Sequence, residues 1–119
     1  MKDNVAKFRE VAEHICNLYE KKNECYGDSF GKTYDESKGL GLIGAITRLS
    51  DKRNRLFNIG IEIAKHKVIQ EHYGGDGIYQ RTIDDLGESL TDTLMDLAAY
   101  SIMTIVKLNE NEQQNQTKD

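Results

Sequence analysis

Apolar residues recur at helical spacing through most of this chain. Val5, Phe8, Val11, Ala12, Ile15, Leu18 and Tyr19 fall on one face, and Glu10, Glu13, Glu20 and Lys21 on the opposite one. That arrangement predicts an amphipathic helix from Val5 to about Asn23, with Gly27 near the place where glycine closes helices. A second stripe, Leu42, Ile46, Leu49, Leu56 and Phe57, predicts a helix from Leu40 to about Ile63. On that wheel Arg53 falls inside the apolar stripe, while Arg48, Asp51, Lys52 and Arg55 point elsewhere. Asp51 and Arg55 are at i,i+4 spacing, which suits an ion pair. The last helix starts near Thr82 to Ser89 and runs to about Asn109, with Asp84, Asp85 and Glu88 near its electropositive beginning.

The segments between these stripes read differently. Tyr26 to Gly39 mixes glycine, serine, acids and aromatics, and reads as a loop. Its aromatics Tyr26, Phe30 and Tyr34 either cover the core or stack on a planar ligand. His66 to Asp85 holds a glycine-rich turn, Gly74 to Gly77, between two short segments of some strand character, so a small β-hairpin and an ordered loop both fit. The Gly74 to Gly77 turn, in a segment 64–85 whose role stays open, is then either a lid or only a hairpin tip. The tail 110–119 is polar, lacks apolar anchors, and is expected to be disordered. The expected fold is all-α. It is a small bundle of three main helices with a short β-hairpin or loop insertion, in one domain over residues 1–109, stabilised by assembly with further copies.

Composition narrows the setting. The 119 residues carry a formal net charge of −4, which argues against a nucleic-acid polymer as partner, since that needs a strongly basic surface. Cys16 and Cys25 have no metal-ligand spacing and read as reduced thiols. The N-terminus lacks the apolar core of a signal peptide, and no apolar run approaches the roughly 20 residues that span a bilayer. The expected location is the cytoplasm, with no membrane partner. Proline is absent, so nothing forces the helices to stop.

One charge stands out. Asp96 lies within LMDLAAYSIMTIV, a stretch apolar on almost every side, and Asp92 precedes it by one turn. A buried carboxylate costs on the order of several kcal/mol unless it is paired, hydrogen-bonded or bound to metal. Glu88, Asp92 and Asp96, at i, i+4 and i+8, run along one side of the helix. Carboxylates so arrayed suit Mg²⁺, which prefers oxygen ligands and would clamp nucleotide phosphates. The alternatives are a solvated first-turn residue for Glu88 and a structural salt bridge for Asp96. Arg48, Lys52, Arg53 and Arg55 form a basic set on the preceding helix, whose guanidinium forks suit phosphate oxygens. Basic runs on helices are also common as plain solvated faces. Arg53, among apolar neighbours, needs an anion, and Asp96 or Asp92 is the internal candidate. His14, His66 and His72 have no ligand spacing, and no phosphate loop or nucleophile–base motif can be read.

KKNECYGDSF (Lys21 to Phe30), RLSDKRNRL (Arg48 to Leu56) and SLTDTLMDLAAYSIM (Ser89 to Met103) resemble a phage family called nucleotide-modification-associated domain one. The resemblance spans most of residues 5 to 108, in the same order, and is weaker between about Ile63 and Asp85. It implies an all-α fold and a place in phage nucleotide metabolism or base modification. It also implies a distant similarity to the MazG-type nucleoside triphosphate pyrophosphohydrolases, which bind Mg²⁺ with an ExxE pair on one helix and an ExxD pair on another. Here Glu10 and Glu13 have the ExxE spacing but lie opposite the apolar stripe, and the second pair is stretched to Glu88 and Asp92, followed by Asp96.

Two functions follow as expectations. The first is a phage protein in the host cytoplasm that binds or sequesters a phosphorylated nucleotide, including a cyclic immune-signalling one, without cofactor. In it Arg48, Lys52, Arg53 and Arg55 grip phosphates and Tyr26, Phe30 and Tyr79 stack on bases. The second is a pyrophosphohydrolase with Mg²⁺ held by Asp92, Asp96 and Glu88. A structural module, with the apolar stretch as a subunit interface, is the third reading.

Overall fold

The computed structural model describes residues 3–74 and 78–117, with the side chains of Tyr26, Ile78, Tyr79 and residues 112–117 outside that description. The described chain is all-α and forms four helices with no strand: α1 (Asn4–Tyr26), α2 (Ser29–Glu36), α3 (Gly41–Tyr73) and α4 (Ile78–Thr117). Two starts are fixed by aspartate caps. Asp3 accepts from the Ala6 amide at 2.7 Å and Asp28 from the Gly31 amide at 3.0 Å, each satisfying an amide that the first helical turn leaves unpaired. Gly27 ends α1 with φ 70°, a left-handed conformation that favours glycine, and its amide reaches the Asn23 carbonyl.

The helices divide into two compact units, residues 1–47 with 98–119, and residues 48–97. In the first unit Phe30 is buried, its ring centroid 6.2 Å from Tyr34 and 5.8 Å from Tyr100. Gly41, at the start of α3, lies directly against the Tyr34 carbonyl and ring. Gly31, Ala45 and Thr104 are also buried there.

In the second unit, α3 from Arg48 and α4 up to Leu97 run antiparallel. Lys52 meets Asp96 and Gln70 meets Gln80, pairings in which one number rises as the other falls. The inward line on α3 is Lys52, Leu56, Ile59, Ile63 and His66, and on α4 it is Leu86, Leu90, Thr93 and Leu97. Both alternate steps of three and four, the seven-residue pattern of closely packed helices. Thr93 is buried, and its hydroxyl donates to the Ser89 carbonyl at 2.8 Å, so the polar atom inside is satisfied.

The structure corrects the sequence reading in several places. The loop expected over Tyr26 to Gly39 contains α2, whose cap is Asp28. The hairpin or loop expected over His66 to Asp85 is largely helical, because α3 continues to Tyr73 and α4 begins at Ile78. Gly75, Asp76 and Gly77, the tip of that expected hairpin, lie outside the described residues. Among the described residues the three main helices expected are α1, α3 and α4, and the short α2 is added to them. The backbone of α4 continues to Thr117, through the tail expected to be disordered.

The two glycines at the start of α3 give a paired test of packing. A Cβ on Gly41 meets Tyr34 backbone and ring, whereas a Cβ on Gly44 meets nothing within 4 Å. Gly41→Ala should lower stability by about 1–3 kcal/mol, and Gly44→Ala should raise it by up to about 1 kcal/mol. Urea midpoints of both variants check the opposite signs.

Candidate functional site

The basic set lies on the first turns of α3 in the second unit. Arg48, Lys52 and Arg55 are separated by four and three residues, so they share one face and span roughly 10 Å along the helix. Lys52 is the inward member. Its ammonium donates to the Asp96 carboxylate at 3.1 Å, with the two side chains 24% and 36% exposed. Arg48 and Arg55 are exposed at either end of the row. The pair holds Lys52 in a fixed direction.

Arg53 was expected inside the apolar stripe, with Asp96, Asp92 or a ligand phosphate as its anion. It is exposed instead, and Lys52 takes Asp96. The expected wheel was rotated because Phe57 was counted as inward. Phe57 is 70% exposed, and removing it from the stripe swings the buried line through Lys52. Asp96 is itself half-exposed, so its desolvation is smaller than an apolar surround implies.

The carboxylates expected to act together are split. Glu88 and Asp92 are exposed and line a groove with Asp84, Gly87, Thr91 and Lys67. Asp96 is not among the residues of that groove and faces Lys52. Among the described residues, no group of three or more histidine, cysteine, aspartate or glutamate side chains is placed to hold a metal ion. Glu10 and Glu13, which have the ExxE spacing, are both exposed on α1.

The aromatic expectations divide as well. Phe30 is a packing residue, enclosed by Tyr34 and Tyr100. The side chains of Tyr26 and Tyr79 lie outside the described residues.

The sequence reading missed a second feature, in the first unit. Ala12, Ile15 and Tyr19 on α1, Phe30 on α2, and Ile102, Met103 and Val106 on α4 line a cavity of about 330 Å³. Its rim carries Asp28, Lys107 and Glu110. Lys107 contacts the Asp35 carboxylate at 3.0 Å and Glu110 at 3.2 Å. The spacing Ala99, Ile102, Met103, Val106, Lys107 was the available signal, a helical stripe that ends in a cation.

No protein-family model, curated protein or solved structure matches this chain. Among the described residues no helix is long and apolar enough to cross a membrane.

Two measurements test these pairs. The Lys52–Asp96 pair is partly exposed, so its coupling in a double-mutant cycle of Lys52→Met and Asp96→Asn should be about 0.5–1 kcal/mol. A cycle of Arg53→Met with Asp96→Asn should show none. The hydrogen bond to Asp35 is the main cause that raises the Lys107 pKa above its ordinary 10.5, with Glu110 adding to it against the opposing effect of burial. A raised lysine contributes stability that is fully present below 10.5 and is lost as pH rises through the folded value. The wild-type urea midpoint should therefore fall relative to that of Lys107→Met only above that pH.

Proposed function

We propose that this protein binds a phosphorylated nucleotide and releases it unchanged. The observation that carries this reading is the Lys52–Asp96 pair at the centre of the Arg48–Lys52–Arg55 row. A carboxylate engaged by an ammonium serves as an anchor for the cation beside it. Guanidiniums at either end of an anchored row suit two phosphate groups or the two sides of one, since each fork binds oxygens bidentately. Arg53, exposed one residue beyond Lys52, extends the positive field around the helix. A cyclic nucleotide of the kind used as an immune signal fits this chemistry. Sequestration in the host cytoplasm by a phage protein accords with the family resemblance at Arg48 to Leu56 and Ser89 to Met103.

The working form is a homo-oligomer. Support comes from the number of large apolar side chains that one copy leaves in water, from Val5 on α1 to Leu108 on α4. A shallow row of cations on one helix also encloses little of a ligand, and a neighbouring subunit supplies the missing wall.

The test is incubation with nucleoside triphosphates and cyclic nucleotides plus Mg²⁺, followed by analysis of the nucleotides before and after heat denaturation. The expected result is loss of one free nucleotide and its intact return on heating. Product formation overturns the reading in favour of a pyrophosphohydrolase. Replacing Arg48 and Arg55 together by alanine should weaken the retained ligand at least about tenfold with unchanged helical content. Retention at full affinity would place the phosphates elsewhere.

A further inference from the structure

We propose that the cavity bounded by α1, α2 and α4 in the first unit takes a small apolar molecule that bears one positive charge. None of its lining residues belongs to the basic row of α3, so this site does not rest on the nucleotide reading. Size and lining set the body of the ligand. The cavity holds about 330 Å³, which is within the range of small-molecule sites, whereas an apolar cavity of about 150 Å³ is already enough for benzene. Ala12 on α1, Phe30 on α2 and Met103 on α4 bring apolar walls from three helices. Ile102 and Val106, also in the wall, are about half exposed, which leaves a way in for an entering molecule. A polar body would give up its water there for few hydrogen bonds in return. The enclosed part of the ligand is therefore aliphatic or aromatic.

The rim sets the charge. Asp28, Lys107 and Glu110 stand on it, and the Lys107 ammonium meets Asp35 at 3.0 Å and Glu110 at 3.2 Å. Three carboxylates against one ammonium leave an excess of negative charge, and that ammonium is already engaged. A phosphate or carboxylate head is repelled, and an ammonium head is attracted. Asp28 is held in place for this. It caps α2 by accepting from the Gly31 amide through Oδ1 at 3.0 Å, and its carboxyl lies where a Cβ on the buried Gly31 would stand. Glycine at that position keeps room for the carboxylate. A carboxylate has about four acceptor sites, so the cap leaves capacity for a ligand cation. The rings of Tyr19 and Phe30 in the lining favour the same charge, since aromatic faces attract cations.

The experiment uses the full chain and three probes that share one apolar body and differ in the head: phenylbutylamine, phenylbutanol and phenylbutyrate. Affinity is read by calorimetry at neutral pH. Occupancy is read from the rate at which a maleimide labels Cys16, which lines the cavity, in a Cys25→Ser background. The expected result is an amine that binds at least about tenfold more tightly than the carboxylate, with the alcohol between them, and that slows Cys16 labelling. Glu110→Gln should reduce the preference for the amine and keep the affinity of the alcohol. Ala12→Phe, at an exposed wall position, should abolish binding of all three with helicity kept by circular dichroism.

Failure of all three probes to bind overturns the proposal, including the case in which Cys16 resists labelling without any probe because a second copy covers the cavity. A carboxylate that binds as tightly as the amine overturns the charge assigned to the ligand. Amine binding that leaves Cys16 labelling unchanged and survives Ala12→Phe overturns the cavity as its place. Nucleotide retention is read separately on the same samples, and a chain that binds the amine but retains no nucleotide loses the α3 reading alone.

Discussion

Large apolar side chains stand exposed along this chain, from Val5 on α1 to Leu108 on α4. Among the described residues no large side chain is fully buried, and the apolar positions that are buried are Phe30, Ala45 and Ile83. Small domains stay marginal when little surface leaves water on folding. Everything else follows from that shortage. Local devices, such as the aspartate caps of α1 and α2 and the hydroxyls of Thr93 and Thr104 bonded one turn back, hold the helices. The homo-oligomer proposed above would supply the remaining stabilisation.

The same exposure shapes the chemistry. A carboxylate fully buried among apolar residues would be an expensive group. Here Asp96 stays partly in water and meets Lys52 across an antiparallel pair of helices. The pair settles a register and a direction. It fixes one cation at the middle of a row whose outer members, Arg48 and Arg55, remain open to solvent. The acids that the sequence places in line with Asp96 instead border a separate groove. The first unit shows the opposite character, an apolar cavity with an acidic rim. The two units therefore differ in character, a basic row on α3 in one and an apolar cavity between α1, α2 and α4 in the other.

Much of the helical layout was legible in the sequence. The stripe from Val5 to Tyr19 lies within α1, and the absence of proline left α3 and α4 free to run long. The errors have local causes. Four residues of glycine-rich turn made the flanking HKVIQEHY and IYQRTIDD resemble strands, although each continues a helix. The cap at Asp28 was readable, since an aspartate before Ser-Phe-Gly offers its carboxylate to an amide three residues on. It was hidden by the composition of a loop. The partner of Asp96 was misassigned because a wheel weighs every large apolar residue alike. Phe57 faces water, so the buried line passes through Lys52 instead of Arg53. Which apolar residues stay exposed is not written in periodicity either, since Leu56 and Phe57 belong to one stripe and only Leu56 turns inward.

If the shortage of burial governs this protein, folding and assembly are linked by mass action. The most direct measurement is the thermal midpoint over a hundredfold range of protein concentration without nucleotide. The account predicts a midpoint that rises with concentration, together with a single transition. A midpoint independent of concentration, from a chain that hydrodynamics shows to be monomeric throughout, would contradict it.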